Sequence, residues 1–385
     1  MTAVMLAVGD ASGDAYAADF VRALRELRPN LRALGLGGEQ MAAAGVELVA
    51  HQRELAVGGF VELLPDLHRV VRTWFRVGAA LDRTRPDLLV LVDSAGFNVP
   101  FARRAQRKGV PILYYVCPQV WAWRRRRVRK IARRVDRLAA IFPFESEVYA
   151  GSKAAVDYVG HPLVDRLGAE APRDREAARR SLGLPAAATV VALFPGSRRD
   201  EVRHCLPVMT DAAAAMLARR PELHFALPVA PSLERAFIER RLDGANGSRL
   251  PIRVVEGRSL DVLVACDVAL SKPGTTTLEA VLLERPLVVT ARASALTAVL
   301  VRRLVQVDSL TLPNLIAGRA IVPELLQGDA VPERIADAVL DLLDGEPRSR
   351  QLAAFADVRR ALGGGGAARR AAQVAEEMLV ARGLA

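Results

Sequence analysis

The strongest constraint on this chain is an alternation that occurs twice. Strand-length runs of uninterrupted apolar residues are followed by small-residue turns and then by segments of helical periodicity. Residues 3–9 (AVMLAVG), 31–36, 87–93 (DLLVLVD), 110–116 (VPILYYV) and 137–144 (RLAAIFPF) make the first series. Residues 189–198 (TVVALFPGSR), 224–230 (HFALPVA), 252–257 (IRVVEG), 268–279 (VALSKPGTTTLE) and 286–290 (PLVVT) make the second. A strand that is apolar on both faces must be covered on both faces, which calls for a parallel sheet between helical layers. The expected fold class is therefore α/β, with two Rossmann-like doubly wound domains and a central cleft, an architecture suited to a nucleotide-sugar and an acceptor. A chain of 385 residues also exceeds the usual size of one core. The predicted division is 1–165 for the first domain, 166–188 for a Pro-, Gly- and charge-rich linker, and 189–345 for the second domain. Residues 346–385 are then C-terminal helices, broken by the glycines at 363–366, that pack back on the first domain.

Charge narrows the partners. Lys+Arg number 54 against 43 Asp+Glu, a formal net charge of +11 carried mostly by arginine, so the chain favours phosphates, anionic lipid or nucleic acid. Cys117, Cys205 and Cys266 are far apart, and no two His or Cys residues stand at metal-ligand spacing. Neither a disulfide framework nor a metal site is expected, and the cysteines read as small buried apolar residues. No stretch is long and apolar enough for a transmembrane helix, and the start MTAVMLAVGDASGD lacks a basic leader and a small-residue cleavage site. A cytoplasmic protein is expected.

Four turns that follow strands carry candidate chemistry. Gly9-Asp10-Ala11-Ser12-Gly13-Asp14 gives a helix N-terminus whose N–H groups can hold an anion or an oxygen-rich ligand, or a plain turn capped by Ser12. It is not a GxGxxG motif, so no dinucleotide follows. Pro195-Gly196-Ser197-Arg198-Arg199-Asp200-Glu201 would offer a diphosphate backbone N–H groups, a helix dipole and a guanidinium; as an ordinary cap it pairs Ser197 with Asp200. In Lys272-Pro273-Gly274-Thr275-Thr276-Thr277-Leu278-Glu279, glycine allows close backbone approach, and Glu279 can accept both ribose hydroxyls or complete a capping box with Thr276. Asp93, at the end of DLLVLVD and before Ser94-Ala95-Gly96-Phe97-Asn98, stands where a doubly wound sheet meets its ligand; it can take a proton from an attacking hydroxyl or brace the next loop.

Two further segments point to anionic or apolar surfaces. Trp121-Ala122-Trp123 precedes a stretch, 124–134, in which eight of eleven residues are basic, beginning with Arg124. Like charges at that density repel one another and call for an anionic partner: nucleic acid, a phosphorylated lipid or a membrane surface. In residues 59–82, Leu63, Leu67, Val70, Val71, Trp74, Phe75 and Leu81 fall near one helical face, interleaved with Arg69, Arg72 and Arg76. This is either an interfacial amphipathic helix or a core-facing one.

In chain order these segments resemble lipid-A-disaccharide synthase, a family of inverting glycosyltransferases with the two-Rossmann (GT-B) fold. The matching stretches are GDASGD (9–14), ELAVGGFVELL (54–64), VDSAGFN (92–98), PQVWAWRRRRVRKI (118–131), FPFE (142–145), VGHPLVD (159–165), LFPGSRRDEV (193–202), GTTTLEA (274–280) and LPNLIAGRAIVPELLQ (312–327). The resemblance implies transfer of the glucosamine of UDP-2,3-diacylglucosamine to the 6-hydroxyl of 2,3-diacylglucosamine 1-phosphate, forming a β-1,6 disaccharide and releasing UDP, with no metal or other cofactor. It implies Asp93 as general base. It places Gly196, Ser197, Arg198, Glu201, Gly274, Thr275, Glu279 and Asn314 on the UDP side, and Asp10, Ser12, Gly13, Asp14, Asn98, Trp121 and Arg124 on the acceptor and sugar side. The basic and amphipathic segments would hold the acylated substrate at the inner face of an anionic membrane, no nucleic-acid partner is implied, and the family pattern adds a homodimer with exchanged C-terminal segments. Three positions depart from that pattern: Asp10 where Glu is usual, Ala95-Gly96 where Pro and often Asp are usual, and Ala291-Arg292 where an aromatic is usual.

The competing enzymes on this scaffold are a peptidoglycan-type UDP-N-acetylglucosamine transferase and a UDP-sugar 2-epimerase; WAWR and LPNLIAGR argue against both. A nucleic-acid-binding protein would explain residues 121–134 but leave the PGSR and GTTTLE loops without a role.

Overall fold

The computed structural model describes residues 1–55, 63–119, 125–172, 174–243, 250–293 and 309–384. They form two compact units, Met1–Asp165 with Gly364–Ala385, and Arg166–Gly363.

The first unit contains β1 (Ala3–Val8), α1 (Ala11–Leu27), β2 (Arg32–Gly37), α2 (Glu39–Ala43), β3 (Glu47–His51), α3 (Leu63–Thr84), β4 (Leu88–Val92), α4 (Ala95–Arg107), β5 (Ile112–Tyr115), α5 (Arg125–Ala132), β6 (Arg137–Ala140), α6 (Glu145–Val148) and β7 (Ala155–Tyr158). Its sheet has the order β3-β2-β1-β4-β5-β6-β7, and every neighbouring pair is parallel. The order reverses between β1 and β4, so their carboxyl ends open on the crevice where such sheets bind ligands. These two strands are the core of the unit: Val4 to Val8 and Leu88 to Val92 are all fully buried. Each of the larger side chains contributes about 2 kcal/mol by leaving water, which is why the continuous apolar runs specify central strands.

After α7 (Pro162–Glu170) and α8 (Arg175–Leu182), the second unit continues with β8 (Thr189–Phe194), α9 (Arg199–Arg219), β9 (Leu223–Val229), α10 (Arg235–Asp243), β10 (Ile252–Glu256), α11 (Ser259–Ala265), β11 (Val268–Ser271), α12 (Thr276–Leu282), β12 (Leu287–Ala291), α13 (Leu312–Ala317), β13 (Glu324–Leu326), α14 (Pro332–Leu340) and α15 (Gly345–Leu362). The sheet order is β10-β9-β8-β11-β12-β13, again parallel throughout, with its reversal between β8 and β11. Two Rossmann-like α/β domains are present, as the alternation predicts.

Several boundaries differ from the expectation. The 166–188 stretch folds mostly as α7 and α8, with Arg179 buried and paired to Asp267 at 2.8 Å. The 346–385 segment is divided: α15 stays with the second unit, and α16 (Ala367–Val380) belongs to the first. The physical reason lies in the contacts of each helix. Gln351 of α15 is buried and bonds both backbone groups of Leu287 on β12, at 2.8 and 3.0 Å. The last helix, α16, packs on α1 instead, with Arg28–Glu376 at 2.5 Å and Arg137–Glu377 at 2.7 Å. Asp165 caps its start by accepting from Gly366 N at 2.6 Å and Ala367 N at 3.0 Å.

On α3 one face of the amphipathic segment faces the core and the other faces solvent. Trp74 packs edge-on against Phe97 and Phe101 of α4, and Val77 and Leu81 are buried, whereas Val71 is 44% and Phe75 63% exposed. Among the described residues no helix is long and apolar enough to cross a membrane.

Candidate active site

At the first reversal, β1 and β4 run side by side with Val8 opposite Val92, so the turns that follow them converge. A side chain at Gly9 would put its Cβ 1.8 Å from Ser94 Oγ, which only glycine avoids. Asp93 and Ser94 both adopt left-handed backbone, at φ 46° and 49°. Successive non-glycine residues in this region are strained, and the surroundings must enforce them. Here Asp93 N donates to Val116 O at 3.0 Å, and the Asp93 carbonyl accepts from Tyr114 Oη at 2.5 Å and Asn98 Nδ2 at 2.9 Å. Asn98 is fully buried and also donates to Val92 O and Ala7 O, at 2.9 and 3.1 Å. Its amide group fastens the strand ends under Asp93; it is not presented at the surface of the crevice.

The Asp93 carboxyl is raised to about 7, first by burial, then by the charge of Asp10 and a side-chain hydrogen bond with Asp10. Asp10, not Ser12, is the N-cap of α1, accepting from Gly13 N at 2.6 Å. Asp wins because its carboxylate already points back over the first turn, which leaves Ser12 exposed within it. Asp14 is buried and spends its carboxylate on α2, accepting from Gly38 N at 2.6 Å and Gln40 N at 2.9 Å. Trp121 and Arg124 lie outside the described residues.

At the second reversal, the loops after β8 and β11 are joined by an ion pair. Glu201 accepts from Ser197 N at 3.0 Å and Arg198 N at 3.3 Å, and Lys272 Nζ donates to it at 3.1 Å. The chain's own carboxylate thus occupies the N–H groups at the start of α9, and Glu201 rather than Asp200 completes the cap. Burial works to raise the Glu201 carboxyl, but Lys272, the Ser197 amide and Arg198 hold it below the usual carboxylate range. Gly196, at φ 130°, leaves room for this: a Cβ there would lie 2.6 Å from the Glu201 Cβ. The Arg198 side chain is 83% exposed. On the neighbouring loop, Gly274 packs beside Lys272, Thr275 is the exposed N-cap of α12, and burial raises the Glu279 carboxyl against a hydrogen bond from Thr276.

Asn314 is placed otherwise. It is buried, its Oδ1 accepts from Ile321 N and Val322 N at 2.8 Å, and its Nδ2 donates to Val322 O at 3.0 Å and Glu324 Oε1 at 2.8 Å. Both donors and both acceptor sites are filled by protein. Of the departures from the family pattern, Arg292 is exposed and donates to Ala330 O at 2.6 Å. Lys272 was named in its turn without a role, and Tyr114 was not singled out in the sequence. A Lys directly before Pro-Gly after a strand was a usable signal for the first; for the second, a Tyr inside an apolar strand carried none.

A family model described as Lipid-A-disaccharide synthetase matches residues 4–378. Similar curated proteins named Lipid-A-disaccharide synthase include one from Anaeromyxobacter sp. (strain K), 44% identical over 98% of this chain and 96% of its own length. Another, from Myxococcus xanthus (strain DK1622), is 43% identical over 98% of this chain and 97% of its own length. The chain belongs to the lipid-A-disaccharide synthase family. It is a glycosyltransferase of lipid A disaccharide synthesis. Solved structures share the fold at low identity. A UDP-GlcNAc 2-epimerase from Neisseria meningitidis bound to UDP-GlcNAc superposes with a TM-score of 0.67 at 11% identity, covering 99% of this chain and 100% of that one. The S. aureus MnaA–UDP co-structure gives 0.68 at 13%, covering 100% and 98%. An epimerase or peptidoglycan-type transferase is not favoured, because the full-length sequence relationship is to the lipid-A-disaccharide synthases.

Proposed function

We propose that the chain condenses UDP-2,3-diacylglucosamine with 2,3-diacylglucosamine 1-phosphate into the β-1,6 disaccharide 1-phosphate of lipid A, with Asp93 as general base. The observation that carries this reading is Asp93 itself. It is a carboxylate held in strained backbone at a switch point, and burial brings it to about 7, where a base both accepts a proton and is ionised near neutral pH. In the proposed reaction the acceptor 6-hydroxyl gives its proton to Asp93, its oxygen bonds the donor's anomeric carbon with inversion, and the bond to UDP breaks with the electron pair leaving on UDP. Arg198, exposed at the head of α9, meets the diphosphate, with Lys272 and Glu201 behind it and Gly274, Thr275 and Glu279 beside the nucleoside. The matching fold holds UDP or UDP-GlcNAc in the two solved structures named above.

The acylated acceptor calls for an anionic membrane surface, and one flank of the first unit suits it. The α3 helix exposes Phe75 and Val71 beside Arg72. The end of α5 contributes Arg129, Lys130, Arg133 and Arg134 around a hollow of about 350 Å³. Both helices rest on α4, α3 through Trp74 and the α5 end through Gln106–Arg133 at 2.9 Å and Arg134–Val99 at 2.7 Å. A homodimer exchanging α16 belongs to the same reading, since a partner's helix would meet α1 through the same contacts.

The test is incubation with the diacylated donor and lipid acceptor, read by mass spectrometry. Wild type is expected to form the disaccharide 1-phosphate. Asp93→Ala is expected to keep its calorimetric UDP affinity and lose transfer, and Arg198→Ala to bind UDP more than about twofold weaker. Wild-type transfer by Asp93→Ala overturns the base assignment.

A further inference from the structure

Resting on the crevice at the second reversal as the donor's place, we propose that Lys272 is a diphosphate-binding residue, its ammonium holding a phosphate oxygen of the donor beside Arg198. The turn before α9 offers an anion less than a vacant helix start would, because Glu201 already accepts from Ser197 N at 3.0 Å and Arg198 N at 3.3 Å. The donor's negative charge must then be met by side chains. Two cations converge on this point. Lys272 Nζ lies 3.1 Å and an Arg198 guanidinium nitrogen 3.9 Å from the same oxygen, Glu201 Oε1. Together with that carboxylate they leave a net positive charge. The next guanidinium, that of Arg199, is drawn away to Glu234 at 3.4 Å.

The fold fixes where Lys272 stands. Ser271, the last residue of β11, is opposite Phe194, the last of β8, and Lys272 N donates to Phe194 O at 3.1 Å. The residue therefore leaves the sheet at the switch point, where a doubly wound fold meets its ligand. Its side chain is 25% exposed. Gly274 keeps the ammonium open: a Cβ there would lie 3.2 Å from Nζ, and the backbone at 274 is not left-handed, so space rather than conformation accounts for the glycine.

The chemistry follows from the donors left over. An ammonium has three N–H groups, and among the described residues Glu201 is the one hydrogen-bond partner of Lys272, which leaves two for a ligand. Lys acts on phosphate as a point charge, without the planar fork of Arg, so it can bond a phosphate oxygen while keeping Glu201. Glu201 is itself held by two amides, and so keeps the ammonium in the crevice when no donor is bound.

The experiment is calorimetric titration of UDP and of uridine, which shares the nucleoside and lacks the phosphates. Lys272→Met is expected to bind UDP about tenfold or more weaker and uridine as wild type does, and Lys272→Arg to keep most of the UDP affinity. A purely structural Lys272, there only to neutralise Glu201, is tested by Glu201→Gln, whose amide oxygen can still accept from the turn. Against Glu201→Gln, the double variant with Lys272→Met is expected to bind UDP about tenfold or more weaker. Equal UDP affinity in those two proteins, or UDP and uridine weakened alike in Lys272→Met, overturns the proposal. Wild-type UDP affinity in Lys272→Met overturns Lys272's part and leaves the donor crevice standing. A wild type that does not bind UDP overturns the crevice as donor site, and Lys272 with it.

Discussion

Asn98 shows how one buried residue can hold the backbone that carries the site. Its amide donates to Ala7, Val92 and Asp93 carbonyls from a fully buried position, and so holds together β1, β4 and the strained turn that carries the base. The resemblance implied that Asn98 and Asp14 line the acceptor and sugar side and Asn314 the UDP side; in the structure Asn98 donates to backbone carbonyls, and Asp14 and Asn314 accept from backbone amides. A polar residue beside a glycine turn reads the same as a ligand contact or as a loop staple; only the position of the neighbouring amides separates the two. Asn98→Ala is expected to destabilise the first unit by about 2 kcal/mol, because buried carbonyls lose their donor. A urea denaturation midpoint unchanged from wild type would count against that account.

Elements differ in how legible they were. β1, β4, β8 and β11 are central and buried on both faces, and their apolar runs located them. β3, β7 and β13 were not picked out. They are edge strands with exposed or half-buried residues such as Glu47, Tyr158 and Glu324, so they carry no continuous apolar run. The α3 helix gave a periodicity compatible with two roles because it has two apolar faces: Trp74, Val77 and Leu81 face the unit, and Val71 and Phe75 face solvent. The outward pair contributes nothing to the core, so a joint Val71→Ser and Phe75→Ser change is expected to leave stability within about 0.5 kcal/mol. Binding to vesicles containing anionic phospholipid is expected to weaken by on the order of tenfold or more, since each buried apolar side chain contributes about 2 kcal/mol at a membrane surface. Co-sedimentation equal to wild type would remove α3 from the membrane face.

At the scale of the whole molecule, the chain leaves its first unit at Asp165 and returns at Gly364. The returning α16 buries Ala371, Ala372, Val374, Ala375, Met378 and Leu379. Leu379→Ala is therefore expected to cost the first unit about 3 kcal/mol and to lower its calorimetric transition while that of the second unit stays in place. A shift of the second transition instead would show that α16 stabilises the other unit. By itself the sequence determined the class of fold, the position of each major turn and the family, because buried strand runs and glycine turns are local patterns that survive without coordinates. Only the tertiary structure decided which turns meet. The reversal of strand order sets the turn of Asp10 beside that of Asp93 and Glu201 against Lys272, and parallel pairing across a sheet is a non-local choice that spacing along the chain does not encode.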